Sequence, residues 1–312
     1  MTALISSIET ISIGSPKTVG PVSLYPIYNH GPAALTYISA RDAIAAGTLL
    51  IEEATQETVP TLLFTNTGTI PVLVTDGEIV EGGYQNRTVT VPVLLIPGTT
   101  PVPVACVESG RWHGERGRTF GRSTQRLPRN VRRAVVQSVG LTEHGTPRRV
   151  NQGEVWSQVD HVLQSRLINA ETNSLLEIGE HAPSEHIDAR LTTVDNAVAI
   201  LRHLRPLPGQ TGVVIAIGGR IINAELFDRT ETLATYWDEV LAAIAFDVPS
   251  SIDGSRPSIS RALRFVRQVL KAGGESNDGI GVGTEFRFNS SRVAAQGLTF
   301  ENQLVCLSVI AA

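Results

Sequence analysis

Residues 61–80 read TLLFTNTGTIPVLVTDGEIV and decide the fold, because three short apolar runs alternate with two turn signals. The first signal is Asn66-Thr67-Gly68. The second is Asp76-Gly77, a dipeptide favoured in tight hairpins, where both central residues take positive φ. The stretch therefore predicts an antiparallel β-meander and argues against a repeated βαβ unit.

Two further runs extend this meander, at residues 88–96 and 102–107, with Pro97-Gly98 as the turn between them. Proline cannot donate a hydrogen bond to a β-ladder, so we expect Pro92 and Pro103 at sheet edges or bulges. In an antiparallel hairpin the start of one strand lies beside the end of the next. The segment before residue 88 should therefore lie beside the segment after residue 107.

The rest of the chain alternates helical and strand patterns. Apolar residues recur at three- and four-residue spacing in the predicted helices, and Gly218-Gly219 indicates a second hairpin. The predicted helices are 39–46, 130–139, 154–168, 193–204, 230–246 and 258–271, and the later predicted strands are 212–217, 220–227, 280–288, 293–300 and 304–310. This order predicts an α+β protein with an antiparallel β-rich N-terminal half, a helical middle, and C-terminal antiparallel strands with helices. We treat residues 1–312 as one unit that could subdivide into 1–146 and 147–312.

Composition excludes several protein classes. With 42% hydrophobic and 18% charged residues and a net charge of −4, the chain has the makeup of a folded globular protein. The longest apolar stretch, residues 89–97, is too short to span a bilayer, and the first 16 residues lack the basic start of a secretory signal. Two cysteines favour a reducing compartment and cannot form a four-thiolate metal site. We therefore predict a cytoplasmic protein without a metal site, while the cofactor is unknown and a homo-oligomer stays open.

Positive charge is concentrated in one tract. Residues 111–149 hold ten arginines against two glutamates, a local charge of about +8 in a chain whose total is −4. The tract could be a solvated helix face with an Arg-rich loop. It could also bind anions, because the planar guanidinium fork of arginine suits phosphate and carboxylate.

Two polar clusters stand at strand ends. The first is residues 77–87, GEIVEGGYQNR, and the second is residues 106–113, CVESGRWH. Adjacent glycines in the first cluster permit positive φ or close backbone approach. The alternative is a β-bulge whose own amides satisfy its backbone.

The hairpin between the clusters should bring them together into one site. The predicted ligand-binding residues are Gln85, Asn86, Arg87, Arg111 and Trp112, which offer amide hydrogen bonds, phosphate contacts and a stacking surface. The predicted acid–base groups are Glu78, Glu108 and His113. The competing interpretation pairs Arg87 with Glu108 and places Trp112 in the core. Cys106 lies within an apolar run, so we expect a buried thiol and not a nucleophile.

These clusters carry a family resemblance. Glu-x-x-x-Gly-Gly-x-Gln-Asn-Arg at residues 78–87, followed by Cys-Val-Glu-x-Gly-Arg-Trp at 106–112, resembles the ARPP-1 domain. That domain is associated with ADP-ribosylglycohydrolases and with rhodanese/phosphatase-superfamily proteins. The resemblance implies a role in NAD or ADP-ribose metabolism or in prokaryotic conflict systems.

Three functions are compatible with the sequence. The first is binding or processing of a phosphorylated nucleoside or sugar, such as an ADP-ribose derivative, by either an enzyme or a sensor. The second is nucleic-acid binding through the tract 111–149, against which the acidic remainder of the chain argues. The third is a scaffold or assembly protein without a small-molecule site.

Overall fold

The computed structural model describes residues 2–31, 35–54, 60–110, 119–139, 150–165, 174–176, 189–247, 252–271 and 274–312. In these ranges the predicted α+β class with antiparallel sheets is confirmed. The helices are α1 (Thr2–Thr10), α2 (Ala40–Ala45), α3 (Arg129–Ser138), α4 (Gln152–Ser165), α5 (Ala189–Arg202), α6 (Thr230–Ile244) and α7 (Ile259–Arg267). The strands are β1 (Ser12–Ile13), β2 (Lys17–Val19), β3 (Val22–Tyr28), β4 (Ile38–Ser39), β5 (Leu49–Glu53), β6 (Thr61–Asn66), β7 (Val72–Val74), β8 (Glu78–Gly82), β9 (Arg87–Val89), β10 (Val93–Leu95), β11 (Gly98–Cys106), β12 (Phe120–Arg126), β13 (Gly212–Ile217), β14 (Arg220–Phe227), β15 (Gly274–Asp278), β16 (Thr284–Asn289), β17 (Val293–Phe300) and β18 (Gln303–Ala311).

The chain forms two compact units. Unit 1 comprises Met1–Leu35, Asp188–Gly279 and Gly283–Ala312, and unit 2 comprises Thr36–Ile187 and Ile280–Val282. The division near residue 146 stays a prediction, since that position lies outside the described residues. None of the described helices is long and apolar enough to cross a membrane.

Unit 1 is built on a nine-stranded sheet of order β1-β3-β13-β14-β18-β17-β16-β15, with β2 paired to β3. The Gly218-Gly219 hairpin between β13 and β14 is confirmed. Apolar side chains on one face of this sheet pack against α1 and α7 in a single core, which includes Leu4, Val214, Leu226, Phe265 and Phe286. This face holds the unit together, because burial of apolar surface is the main favourable term in folding.

Unit 2 contains a six-stranded sheet of order β12-β8-β9-β11-β6-β5 and a three-stranded sheet of order β10-β7-β4. The predicted hairpin at Asp76-Gly77 is wrong. The turn forms, with Gly77 at φ +78, but β7 and β8 on either side of it enter different sheets. A turn signal predicts a change of direction, and it does not fix which strand lies beside which.

The predicted strand 88–96 is divided in two, and Pro92 lies between β9 and β10. Strand β9 pairs with β11, and β10 pairs with β7. Pro103 lies where β11 changes partner, from β6 at residues 98–103 to β9 at residues 104–106. Neither proline has to donate a ladder hydrogen bond at these positions.

Two elements near the N-terminus, α1 and β3, were not predicted from the sequence. Helix α1 buries Leu4 and Ile8, four residues apart, but its nine residues are too few to give a sustained helical period. Strand β3 contains Pro26, which argues against an interior strand in sequence. It nevertheless lies between β1 and β13, where the Pro26 carbonyl accepts a hydrogen bond from Gly14 N at 2.9 Å.

Asp253 holds the tip of the β13–β14 hairpin. Its Oδ1 accepts hydrogen bonds from Ser255 Oγ at 2.8 Å, Gly219 N at 2.7 Å and Ser255 N at 3.2 Å. The Ser255 hydroxyl, followed by the Gly219 amide, lowers the pKa of Asp253 below the ordinary carboxyl value. The charged carboxylate is therefore favoured in the folded state.

Asp253→Asn should consequently lower the melting temperature most at neutral pH. A depressed pKa contributes stability above the carboxyl pKa of the unfolded chain, and this contribution disappears as pH falls through the folded pKa. The difference in melting temperature between wild type and variant, followed from pH 7 to about pH 2.5, should shrink toward the acidic end. A difference that stays constant over this range would contradict the assignment.

Candidate functional site

Pairing of β9 with β11 joins the two polar clusters. Arg87 is the Cα partner of Cys106, and Thr88 is the partner of Ala105. Beyond the ladder, Val107 N donates to Asn86 O at 3.1 Å. The structure therefore places the end of the first cluster against the start of the second, as predicted. The predicted hairpin turn at Pro97-Gly98 is wrong, because β10 pairs with β7 and Gly98 already belongs to β11.

Glu108 is the residue on which this junction converges. Gln85 Nε2 donates to the Glu108 carbonyl at 3.0 Å, and Asn86 N donates to Glu108 Oε2 at 3.0 Å. Asn86 Nδ2 lies 3.3 Å from Ser174 Oγ, and Ser174 forms a β-bridge with Glu108. Gln85, Asn86 and Glu108 are all buried, so the structure brings these three predicted residues together inside unit 2.

Arg87 contacts Gln85 of this junction through its guanidinium group. Its NH1 donates to Gln85 O at 2.9 Å and to Gln85 Oε1 at 3.3 Å, and the residue is only 1% exposed. A buried guanidinium that donates to carbonyl groups fixes the segment around it. Arg87 thus holds Gln85 in the position from which Gln85 reaches Glu108.

Glu78, a predicted acid–base group, lies in a separate buried network. Its Oε1 accepts from Thr75 N at 2.6 Å and Thr75 Oγ1 at 3.0 Å, and its Oε2 accepts from Arg122 Nε at 2.8 Å. Oε1 therefore stabilises the turn between β7 and β8, and Oε2 links β8 to β12. This arrangement gives Glu78 a structural contribution that does not depend on any catalytic role.

Two arginines of the basic tract join the same turn. Arg132 Nε pairs with Asp76 Oδ2 at 2.6 Å, and Arg126 donates to Thr75 Oγ1 at 3.0 Å and to Asp76 O at 2.9 Å. Arg126 is 2% exposed and Arg132 3% exposed. Part of the positive tract is thus interior, where Arg132 forms an ion pair with Asp76 and Arg126 donates to a hydroxyl and a backbone carbonyl.

The two adjacent glycines have the roles predicted for them. Gly82 has φ +139, and its amide donates to Asn86 Oδ1 at 3.2 Å. Gly83 has φ +50, and a Cβ there would lie 2.2 Å from Phe120 Cζ. Positive φ and close packing therefore both require glycine at this bend.

Cys106 is fully buried, as predicted. Burial raises the pKa of its thiol, and the nearby Arg87 guanidinium offsets this only in part. The thiol donates to Glu108 O at 2.8 Å. A buried neutral thiol is a poor nucleophile, because the thiolate is the reactive form.

Arg111, Trp112 and His113 lie outside the described residues, as do residues 114–118 and 140–149 of the basic tract. The described chain reaches exposed Gly110 directly before them. Gln152 and Ser174 were not predicted from the sequence. They contact Cys106 and Asn86 from 46 and 88 residues away along the chain. No local pattern marks such contacts, because a single Gln or Ser carries no period or motif.

The site is a junction of two strand ends in an α+β unit, built from an amide pair, a buried arginine and a carboxylate. Residues 10–310 match ARPP-1, the ARG and Rhodanese-Phosphatase-superfamily-associated Protein domain. The chain belongs to this family, as the two motifs indicated. No curated protein and no solved structure matches the chain.

Gly83→Ala should destabilise the protein more than Gly47→Ala. Gly47 also has positive φ, +67, but no heavy atom of the described residues lies within 4 Å of the position of an added Cβ. Gly47→Ala should lower the free energy of unfolding by about 1–2 kcal/mol through backbone strain alone. Gly83→Ala adds overpacking against Phe120 and should lower it by roughly a further 1–3 kcal/mol. Equal losses in urea unfolding would show that the bend is not tightly packed.

Asp76→Ala tests the buried ion pair with Arg132. Removing one partner of such a pair leaves an uncompensated charge, so we expect a loss of about 3–5 kcal/mol in the free energy of unfolding. The control is Asp238→Ala, since Asp238 pairs with Arg205 at 3.3 Å with side chains 46% and 67% exposed. That change should cost less than about 1 kcal/mol. Similar urea midpoints for the two variants would contradict the account of the buried network.

Proposed function

We propose that the protein binds a phosphorylated nucleoside or sugar, such as an ADP-ribose derivative, where β9 begins and β11 ends. The observation that supports this is the convergence of Gln85 and Asn86 on Glu108. Two residues after Glu108 the chain is exposed at Gly110 and continues into Arg111, Trp112 and His113. A fixed polar junction thus immediately precedes a segment whose residue types suit a nucleotide.

Each residue type has a distinct role in this proposal. Arg111 contributes a guanidinium fork for a phosphate, and Trp112 a flat surface for a base. Asn86 and Gln85 contribute the amide groups of the junction, while Arg87 holds Gln85 in place by a hydrogen bond to its carbonyl. Glu78, Glu108 and His113 stay the predicted acid–base groups for any reaction of the bound ligand. Such a ligand fits the association of the family with ADP-ribosylglycohydrolases, and a cytoplasmic location belongs to the same proposal.

The basic tract supports this proposal over nucleic-acid binding. Phosphate contacts to a nucleic acid require cations at the protein surface. Arg126 and Arg132 are instead buried and donate to Thr75 and Asp76. Of the tract's arginines in α3, Arg129 and Arg133 keep partial exposure.

Calorimetric titration with ADP-ribose and with a short RNA, each at about 50 and 200 mM salt, tests the proposal. Wild-type protein should bind ADP-ribose. Arg111→Lys should weaken this binding nearly as much as Arg111→Ala, because a point charge cannot reproduce a bidentate contact. Loss of a charge-assisted hydrogen bond of about 1.5–3 kcal/mol corresponds to a roughly 10- to 150-fold loss in affinity.

The matched control is Arg133→Ala, which removes a partly exposed arginine of the tract and should leave ADP-ribose affinity within about twofold. Binding of RNA alone, with steep salt dependence and sensitivity to Arg133→Ala, would reject the small-ligand function. It would also support the nucleic-acid alternative. If neither ADP-ribose nor RNA binds, the small-ligand and the nucleic-acid functions are both rejected, and a scaffold role is favoured.

A further inference from the structure

The end of β11 has a strand neighbour on one side and a side chain on the other. At Cys106 the strand pairs with Arg87 of β9. On its opposite edge, Cys106 N donates to Gln152 Oε1 at 2.9 Å, and Gln152 Nε2 donates to Cys106 O at 2.7 Å. Gln152, the first residue of α4, thus satisfies both backbone groups of Cys106.

This pair of contacts reproduces what a neighbouring strand would supply. A carboxamide carries an acceptor and a donor side by side, so it can bond the N–H and C=O of one residue together. Cys106 is fully buried, and its backbone groups need partners there. A carboxylate at position 152 could accept from Cys106 N, but it could not donate to Cys106 O.

Neighbouring contacts extend this edge from Cys106 to Glu108. Burial raises the pKa of the Cys106 thiol, and Trp156, four residues after Gln152 on α4, offsets this less than Arg87 does. Leu175 N donates to Val107 O at 3.5 Å, and Ser174 forms a β-bridge with Glu108. Gln152 therefore fixes residue 106 and the segment 174–176 fixes residues 107–108.

We propose that Gln152 is a positioning residue for the binding site, and this inference rests on the proposed function. By holding Cys106 against β9, it fixes the β9–β11 pairing register, which brings Glu108 to Gln85 and Asn86. Helix α4 is thereby part of the site through Gln152.

Gln152→Glu is the sharpest test, because it keeps the shape of the side chain and removes only the donor. The matched control is Gln164→Glu, the same change at an exposed position of α4. Backbone hydrogen exchange of residues 104–108 is measured by mass spectrometry, with the β13–β14 hairpin as an internal reference. ADP-ribose affinity is measured on the same samples.

Exchange at residues 104–108 should accelerate about tenfold or more in Gln152→Glu, because Cys106 O loses its donor. The β13–β14 hairpin should not change. ADP-ribose affinity should fall by a similar factor, while Gln164→Glu matches wild type in both measurements. If Gln152→Glu fails to fold by circular dichroism, Gln152→Asn, whose amide is one methylene shorter, should give the same pattern at smaller amplitude.

Protonation should rescue the Gln152→Glu variant. A neutral carboxylic acid has an O–H donor beside an acceptor oxygen, so it regains the geometry of the carboxamide. Protection factors at residues 104–108 should therefore return toward wild type near pH 4.5, around the ordinary Glu pKa of about 4.3. A residue that only fills space would show no such recovery.

The outcomes separate this inference from the proposed function. Unchanged exchange in Gln152→Glu overturns the positioning role, whatever ADP-ribose does. Accelerated exchange with unchanged ADP-ribose affinity also overturns it, because the register would then not affect the site. If wild-type protein does not bind ADP-ribose, the proposed function fails, while accelerated exchange with acid rescue still supports the role of Gln152 in holding Cys106.

Discussion

Antiparallel pairing of Arg87–Val89 with Val104–Cys106 is the constraint on which the rest of unit 2 depends. This short ladder joins two segments that carry almost all the polar motif residues, and it brings Asn86 within hydrogen-bond distance of Glu108. Because side chains alternate across a strand, a shift of one residue would send Arg87 to the opposite face of the sheet. The register of this pairing therefore determines which side chains form the site.

Buried charge fixes the turn between β7 and β8 at some cost in stability. Burial of an ion pair is costly, and it contributes little net stability compared with apolar packing. Once the charges are buried, however, any arrangement that separates them leaves an uncompensated ion. The pairs Arg122–Glu78 and Arg132–Asp76 thus disfavour alternative packings of the β7–β8 turn. The sequence suggests that the basic tract is an anion-binding surface. Two of its arginines, Arg122 and Arg132, instead pair with the buried carboxylates of Glu78 and Asp76.

Local features were predictable from sequence and non-local ones were not. The hairpin at Gly218-Gly219 follows from turn chemistry, and the pairing of the two motifs follows from the order of the apolar runs. The partner of β7 does not, because Asp76-Gly77 sets a turn without setting a sheet. Gln152 and Ser174 were beyond sequence reasoning for a related reason. Each acts through one side chain that reaches a backbone position distant in the chain, and nothing in its own neighbourhood specifies that target.

The central claim is that the two motifs meet through one strand pairing and one carboxylate. Backbone NOE measurements on deuterated, isotope-labelled protein test it most directly. The account predicts cross-strand NOEs between Thr88 and Ala105 and between Asn86 and Val107, together with slow amide exchange at Asn86 that becomes fast in Glu108→Ala. NOEs from residues 87–89 to any strand other than β8 and β11, or an Asn86 amide that exchanges equally in both proteins, would contradict it.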